Sequence, residues 1–311
     1  MAKKLYDKPP LSIAEQVKKL QSRGLSGDPV KIEQILHSVN YYRLSGYTYP
    51  FRDSATDHFR PGTTIDLIWD LYSFDQQLRL LCFKAIETFE VFLRKQLSYY
   101  HSVTTNDPFA YVNVNAADAL KHRQFLDDIH RSYTGRDHQG RRVIRSKDDF
   151  VIHFFNTYQG DYLPLWMMVE VVSFGTLVTY YRYYLPQAER ETLSNTFGIT
   201  PSIFNTWLSA IQEVRNICAH HGRLWNRRIR SEPHIEPLTR HTIQPLWHFM
   251  TGVLEDRTFA MLCVLNHCVR AIDPFNTWRD EIRTLFVSHP ESRPTRMMGA
   301  PADWETSPFW N

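Results

Sequence analysis

Apolar residues recur at intervals of three and four along most of this chain, the period of a helix with one buried face. Ser12 opens the first such stretch, with Ile13, Val17 and Leu20 on one face and Gly24 closing it. Asp28-Pro29 opens a second, through Ile32, Ile35, Leu36 and Val39. Thr64 stands where a cap belongs, ahead of a long helix reaching about His101. Leu67, Leu71, Phe74, Leu78, Leu81, Ala85, Phe89, Phe92 and Leu97 form its stripe. Asn106-Asp107-Pro108 breaks it, and a shorter helix follows near Asp118 to Tyr133. Pro164 through Val172 is apolar nearly all round, so a central helix is expected there. Ser173 through Leu177 marks a turn into the next helix. Thr200-Pro201 starts another, with Phe204, Leu208 and Ile211 facing inward. A further helix is expected from about Pro245 to Ile272, ended by Asp273-Pro274. No region is rich in strands and no internal repeat shows. The fold class is therefore all-α. An N-terminal helical segment (1–60) packs on a helical core (61–273). A C-terminal helix and a Pro/Trp-rich tail (274–311) wrap over the body, the whole forming one compact unit.

Composition narrows the class. The 311 residues are 43% hydrophobic and 22% charged, which is globular rather than disordered. The net charge is only +3, so any nucleic-acid face must come from local clustering of charge. Four cysteines (Cys82, Cys218, Cys263, Cys268) form no CxxC pair and read as free thiols of a reducing cytosol. The first ten residues hold no apolar signal segment. The most apolar span, 163–185, contains Pro164, Glu170 and Arg182, which suits a buried helix pair better than a membrane span. A cytoplasmic protein without membrane contact is expected.

The densest chemistry lies in the run Arg215-Asn216-Ile217-Cys218-Ala219-His220-His221-Gly222-Arg223-Leu224-Trp225-Asn226-Arg227. On a regular helix Arg215 and His220 diverge by roughly 140°. They converge better if the helix ends near Ala219, and Gly222 is the residue expected just past such an end. Asn216 lies four residues before His220, on the same face. RNA cleavage by a 2′-hydroxyl needs a base, an acid and a holder of phosphate charge. Histidine serves as acid or base near neutral pH, and arginine holds phosphate oxygens through paired N–H donors. Asn216 would orient the histidine or the ribose, and His221 is a candidate support. Against this, Arg and His at a helix C-terminus also simply complement its dipole. The following Arg223, Asn226, Arg227, Arg228 and Arg230, with no acidic residue among them, suit an anionic partner.

Other candidates carry two readings each. Residues 134–147, with Arg141, Arg142 and Arg145, form a solvated loop or a phosphate-tracking arm. Glu90 and Arg94, four apart, make an ordinary helical ion pair or a brace for the motif arginine. Glu170 sits among Trp166, Met167, Val169 and Val171, so a buried carboxylate partnered by Arg94 or Arg215 is expected. Tyr41, Tyr42 and Arg43 contact RNA or form a packed turn. Asp127-Asp128 and Asp148-Asp149 point different ways on a helix, a poor two-metal site, and Cys218, His220 and His221 lack a second ligand pair. No P-loop, GxSxG or GxGxxG is present, and no metal or cofactor is expected.

Residues 214–227 resemble the signature of the Abi-like (abortive infection) proteins of the HEPN superfamily. Asn40-Tyr41-Tyr42-Arg43-Leu44-Ser45-Gly46-Tyr47 through Phe51-Arg52 is similar to their N-terminal motif. Leu163 through Glu170 and Ser173 through Leu177 are similar to their central one, and Met298-Gly299-Ala300-Pro301 through Trp304, with Pro308-Phe309-Trp310, to their ending. The resemblance implies a HEPN-type helical bundle and a bacterial antiphage toxin that cuts RNA. Arg215, Asn216 and His220 map onto the family's catalytic triplet. A single motif copy implies a homodimer with a composite site, held in check by an antitoxin or noncoding RNA. Gly222 stands where HEPN toxins silenced by adenylylation carry a tyrosine, so that control does not carry over. Two other classes remain: a non-catalytic RNA-binding module working with a guide or antitoxin RNA, and a protein-interaction sensor of infection.

Overall fold

A computed structural model describes residues 5–114, 117–234, 252–290 and 296–311. The helices are α1 (Ile13–Ser22), α2 (Pro29–Ser38), α3 (Tyr41–Thr48), α4 (Ile65–Thr105), α5 (Ala110–Asn113), α6 (Ala119–Tyr133), α7 (Asp149–Thr157), α8 (Leu165–Val171), α9 (Phe174–Tyr183), α10 (Gln187–Asn195), α11 (Pro201–Ala219), α12 (Thr258–Ile272) and α13 (Trp278–Ser288). The fold is all-α, with one small hairpin, β1 (Thr134–Arg136) against β2 (Arg142–Ile144). Among the described residues no helix is long and apolar enough to cross a membrane.

Local chemistry sets the helix starts. Ser12 and Glu15 form a capping box, each satisfying the other's backbone N–H. Asp28 caps α2 ahead of Pro29, Thr64 accepts from Leu67 N–H, and Thr200 caps α11 ahead of Pro201. Asn106, in the left-handed region at φ 51°, ends α4 one turn beyond the expected boundary.

Two compact units form, discontinuous in sequence: residues 1–79 with 281–294, and 80–280 with 295–311. Helix α4, 41 residues long, supplies residues to both. In the first unit, buried Asp75 on α4 accepts from Tyr47 Oη on α3 (2.6 Å) and from Arg79. Burial and the Asp75 charge push the Tyr47 phenol well above its usual range. His289, just past α13, bonds Asp70 (2.7 Å) and packs edge-on against Phe74.

In the second unit, Phe89 of α4 meets Phe174, Phe197 and Phe204 at ring-centroid distances of 5.8–6.4 Å. Each fully buried ring contributes roughly 1.5–3 kcal/mol. Helix α12 is the most enclosed, with every residue from Thr258 to Cys263 buried. Its expected N-terminal extension over 245–251 lies outside the described residues, and the chain from 252 to 257 is turn. The tail returns over this unit, where Trp304 and Trp310 pack on Phe259. All four cysteines are buried free thiols.

Two expectations change. Helix α8 is not central: Leu165, Met168 and Val169 are buried, while Trp166 and Glu170, four residues apart, face out. Residues 134–144 of the expected loop form a hairpin, whose turn passes through Gly140 in the left-handed region (φ 79°).

Candidate active site

The site is built at the C-terminal end of α11. His220 N–H donates to Asn216 O (3.0 Å), which stacks these two residues one turn apart. His221 N–H then donates to Cys218 O (3.0 Å) and Gly222 N–H to Ile217 O (2.8 Å). This paired closure is the Schellman ending of a helix. Its left-handed position is filled by His221 (φ 54°) and not by Gly222. Glycine is needed one residue later for room, since a Cβ on Gly222 would lie 3.3 Å from Ile217 O and Cγ2. A left-handed non-glycine residue costs roughly 1 kcal/mol. The strain sits where two adjacent histidines are held exposed.

Arg215 stands one turn back on α11. Its Nε lies 4.0 Å from Glu90 Oε2, an ion-pair contact that leaves the Nε proton without a hydrogen-bond acceptor. The other Glu90 oxygen takes Arg94, which also donates to Val172 O (3.2 Å) at the end of α8. One carboxylate thus sits between two guanidiniums, a cluster with net positive charge. Ser173 caps α9 directly after that carbonyl. Gly175, two residues on, faces α11: a Cβ there would meet Gln212 Nε2 at 2.8 Å. The small residue lets α9 seat against α11 one turn before Arg215.

The expected role of Glu170 is corrected. It is exposed, because the apolar triplet of α8 turns it to solvent, and Glu90 supplies the carboxylate that meets Arg215.

Beyond the helix the chain doubles back along α11. Glu213 accepts from Arg230 N–H (3.2 Å) and Ser231 N–H (2.9 Å), and Thr206 Oγ1 accepts from His234 N–H (3.0 Å). Thr258 Oγ1, at the start of α12, donates to Leu224 O (2.7 Å). Arg228 pairs with Asp256 (2.8 Å), so this arginine is not an unopposed charge. The run lacks acids in sequence, but the fold brings two to it. The 254–257 turn is in turn seated on Gly299 (φ 83°), whose added Cβ would stand 2.6 Å from Arg257 Cβ. Arg227 and Arg230 are exposed, Arg223 is half-buried, and the Asn226 amide oxygen is buried without a hydrogen bond.

Away from the motif, the hairpin spends its arginines on itself. Arg141 Nε pairs with Asp137 (2.9 Å) and Arg145 donates to Arg136 O. Arg142 opens β2 opposite Arg136.

Three of the four sequence motifs therefore divide. The central one and that of 214–227 meet at Glu90 and Arg94, while that of 40–52 belongs to the other unit. Comparison with known families gives one match, to the Abi-like proteins, over residues 34–226. The chain belongs to the Abi-like protein family. The match covers more than half of the chain and closes at Asn226, inside the motif's basic run. No curated protein and no solved structure matches.

Proposed function

We propose that this Abi-like protein is a metal-independent endoribonuclease of the HEPN kind, acting as an abortive-infection effector against phage. The observation that carries the reading is Arg215 braced by Glu90 and Arg94 on the helix whose last turn presents Asn216, His220 and His221. A partly exposed guanidinium anchored through its buried Nε side by Glu90, beside exposed imidazoles, suits a phosphodiester. The 2′-hydroxyl attacks phosphorus after losing its proton to a histidine. The extra negative charge collects on the oxygens that Arg215 holds. The P–O5′ bond breaks as a second imidazolium gives O5′ a proton, leaving a 2′,3′-cyclic phosphate and a 5′-hydroxyl. One chain supplies one such motif, so a homodimer joining two copies of Arg215, Asn216 and His220 provides both base and acid. Exposed Arg227 and Arg230, with Arg223 and Asn226, extend the contact to RNA, and an antitoxin or noncoding RNA would hold the toxin in check.

The test compares wild type with Arg215→Ala/His220→Ala for growth arrest on expression and for RNA cleavage in EDTA. Cleavage by wild type alone, with cyclic-phosphate ends, is expected. Equal cleavage by both proteins sinks the assignment. RNA binding without cleavage in either favours the non-catalytic module.

A further inference from the structure

The motif of 40–52 takes no part in the site described above. It lies in the other unit, where α3 and the first two turns of α4 build an aromatic platform. Trp69 and Tyr72 stack with ring centroids 5.0 Å apart and planes 7° from parallel. Tyr47 meets Tyr72 edge-on at 5.0 Å, and its hydroxyl is fixed by buried Asp75 and Arg79. The triad thus fixes Tyr47, which meets the Tyr72 ring edge-on. The Arg43 guanidinium lies 5.9 Å over the Tyr72 ring, and Lys19 Nζ lies 5.9 Å over Tyr41. Trp69, Tyr72 and Arg43 are each half-buried, and Tyr42 of α3 and Tyr49 just past it are 86% and 71% exposed.

We propose that this surface is a second RNA contact, which takes an unpaired base of a single strand on Trp69, backed by Tyr72, with phosphates at Arg43 and Lys19. Rings interleaved with cations are what single strands require: any base offers a π-face, and the cation tracks the backbone. The proposal rests on the RNA reading above and extends it to a part of the chain that the cleavage chemistry does not use. It accounts for a half-open stack in the N-terminal unit.

The experiment measures anisotropy of a labelled oligouridylate and of a matched abasic strand, in EDTA. The full chain carries Arg215→Ala/His220→Ala so that no RNA is cut. The expected result is that Trp69→Leu weakens the base-bearing strand about tenfold and leaves the abasic strand unchanged. Arg43→Gln weakens both by about threefold and lowers the salt slope by about one. Unchanged discrimination between the strands in a Trp69→Leu protein of parental thermal stability overturns the proposal. Should Trp69→Leu fail to fold, ultraviolet crosslinking of the parent decides: adducts on Tyr42, Trp69 or Tyr72 support it, and adducts confined to 215–230 overturn it. Cleavage by the chain with Arg215 and His220 intact separates the two readings. Cutting without base discrimination at Trp69 sinks the platform alone, and base-dependent binding without cutting sinks the nuclease alone.

Discussion

Two basic segments of the same unit, 215–230 and 136–145, look alike as strings of arginine and polar residues, yet the fold uses them differently. In the first, a 19-residue helix holds Arg215 against Glu90, and the following chain is pinned by Glu213, Asp256 and Thr258. In the second, two three-residue strands have nothing to hold, and the arginines close the hairpin on itself. Arg136 donates to Gly140 O (2.9 Å), Arg141 pairs with Asp137, and Arg145 lies across Gly135, where a Cβ would meet its Nε at 2.2 Å. Density of positive charge is therefore a poor guide to a site. What matters is whether a scaffold fixes the charge while leaving its donors for a ligand.

That contrast can be broken most directly at the motif. Arg215→Ala or His220→Ala should lower RNA cleavage by about 10³-fold, the scale seen on removing a charge-stabilising donor, with a thermal midpoint close to wild type. Substantial residual cutting in either variant would end the distinction between the segments.

Glu90→Gln tests the brace. It leaves Arg94 without its carboxylate and Arg215 unheld. A stability loss of about 1–2 kcal/mol is expected, reduced by partial exposure, together with at least a tenfold loss of turnover. Full activity would make the pair an ordinary helical salt bridge.

Buried His101 gives the fold a pH-dependent share of its stability. Desolvation holds His101 below its ordinary value of 6.5, where it bonds Tyr180 at 2% exposure. Its folded pKa is depressed, so the unfolded chain takes up the proton first as pH falls. Its stabilisation is fully present above pH 6.5 and is lost as pH falls through the folded value. Urea midpoints should drop as pH falls from about pH 7.5 to pH 5.5, and less so in His101→Gln. An identical drop in His101→Gln would assign the effect elsewhere.

His221→Gly removes a left-handed side chain and should stabilise the protein by about 0.5–1 kcal/mol. Unchanged cleavage would make His221 a helix end only, and a fall would give it a share in the chemistry. The smallest effect is expected in the hairpin, where Arg141→Ala/Arg145→Ala should change RNA affinity by less than about threefold. A loss matching that of Arg227→Ala/Arg230→Ala would erase the contrast.

Much of the fold was legible in the chain. The caps at Ser12, Asp28, Thr64 and Thr200, the break at Asn106 and the end of α11 at Ala219 all lie where residue order puts them. The burial of Glu170 did not follow. A run of apolar neighbours says that a helix has a buried face, but not which polar residue escapes it. The carboxylate that meets Arg215 was in view only as one of two readings of Glu90.

The sequence by itself determined the helical class, the helix starts and stops, the Abi-like motifs and the placing of Asn216 one turn before His220. These depend on interactions within four residues, where the helix repeat fixes geometry in advance. Only the tertiary structure decided that Glu90 and Arg94 join Arg215, that Gly175 admits Gln212, that Asp256 meets Arg228, and that Arg43 of α3 lies over Tyr72 of α4. Those pairings depend on how helices distant in sequence pack, and packing is set by the summed shape of many side chains. No single stretch of residues contains that information.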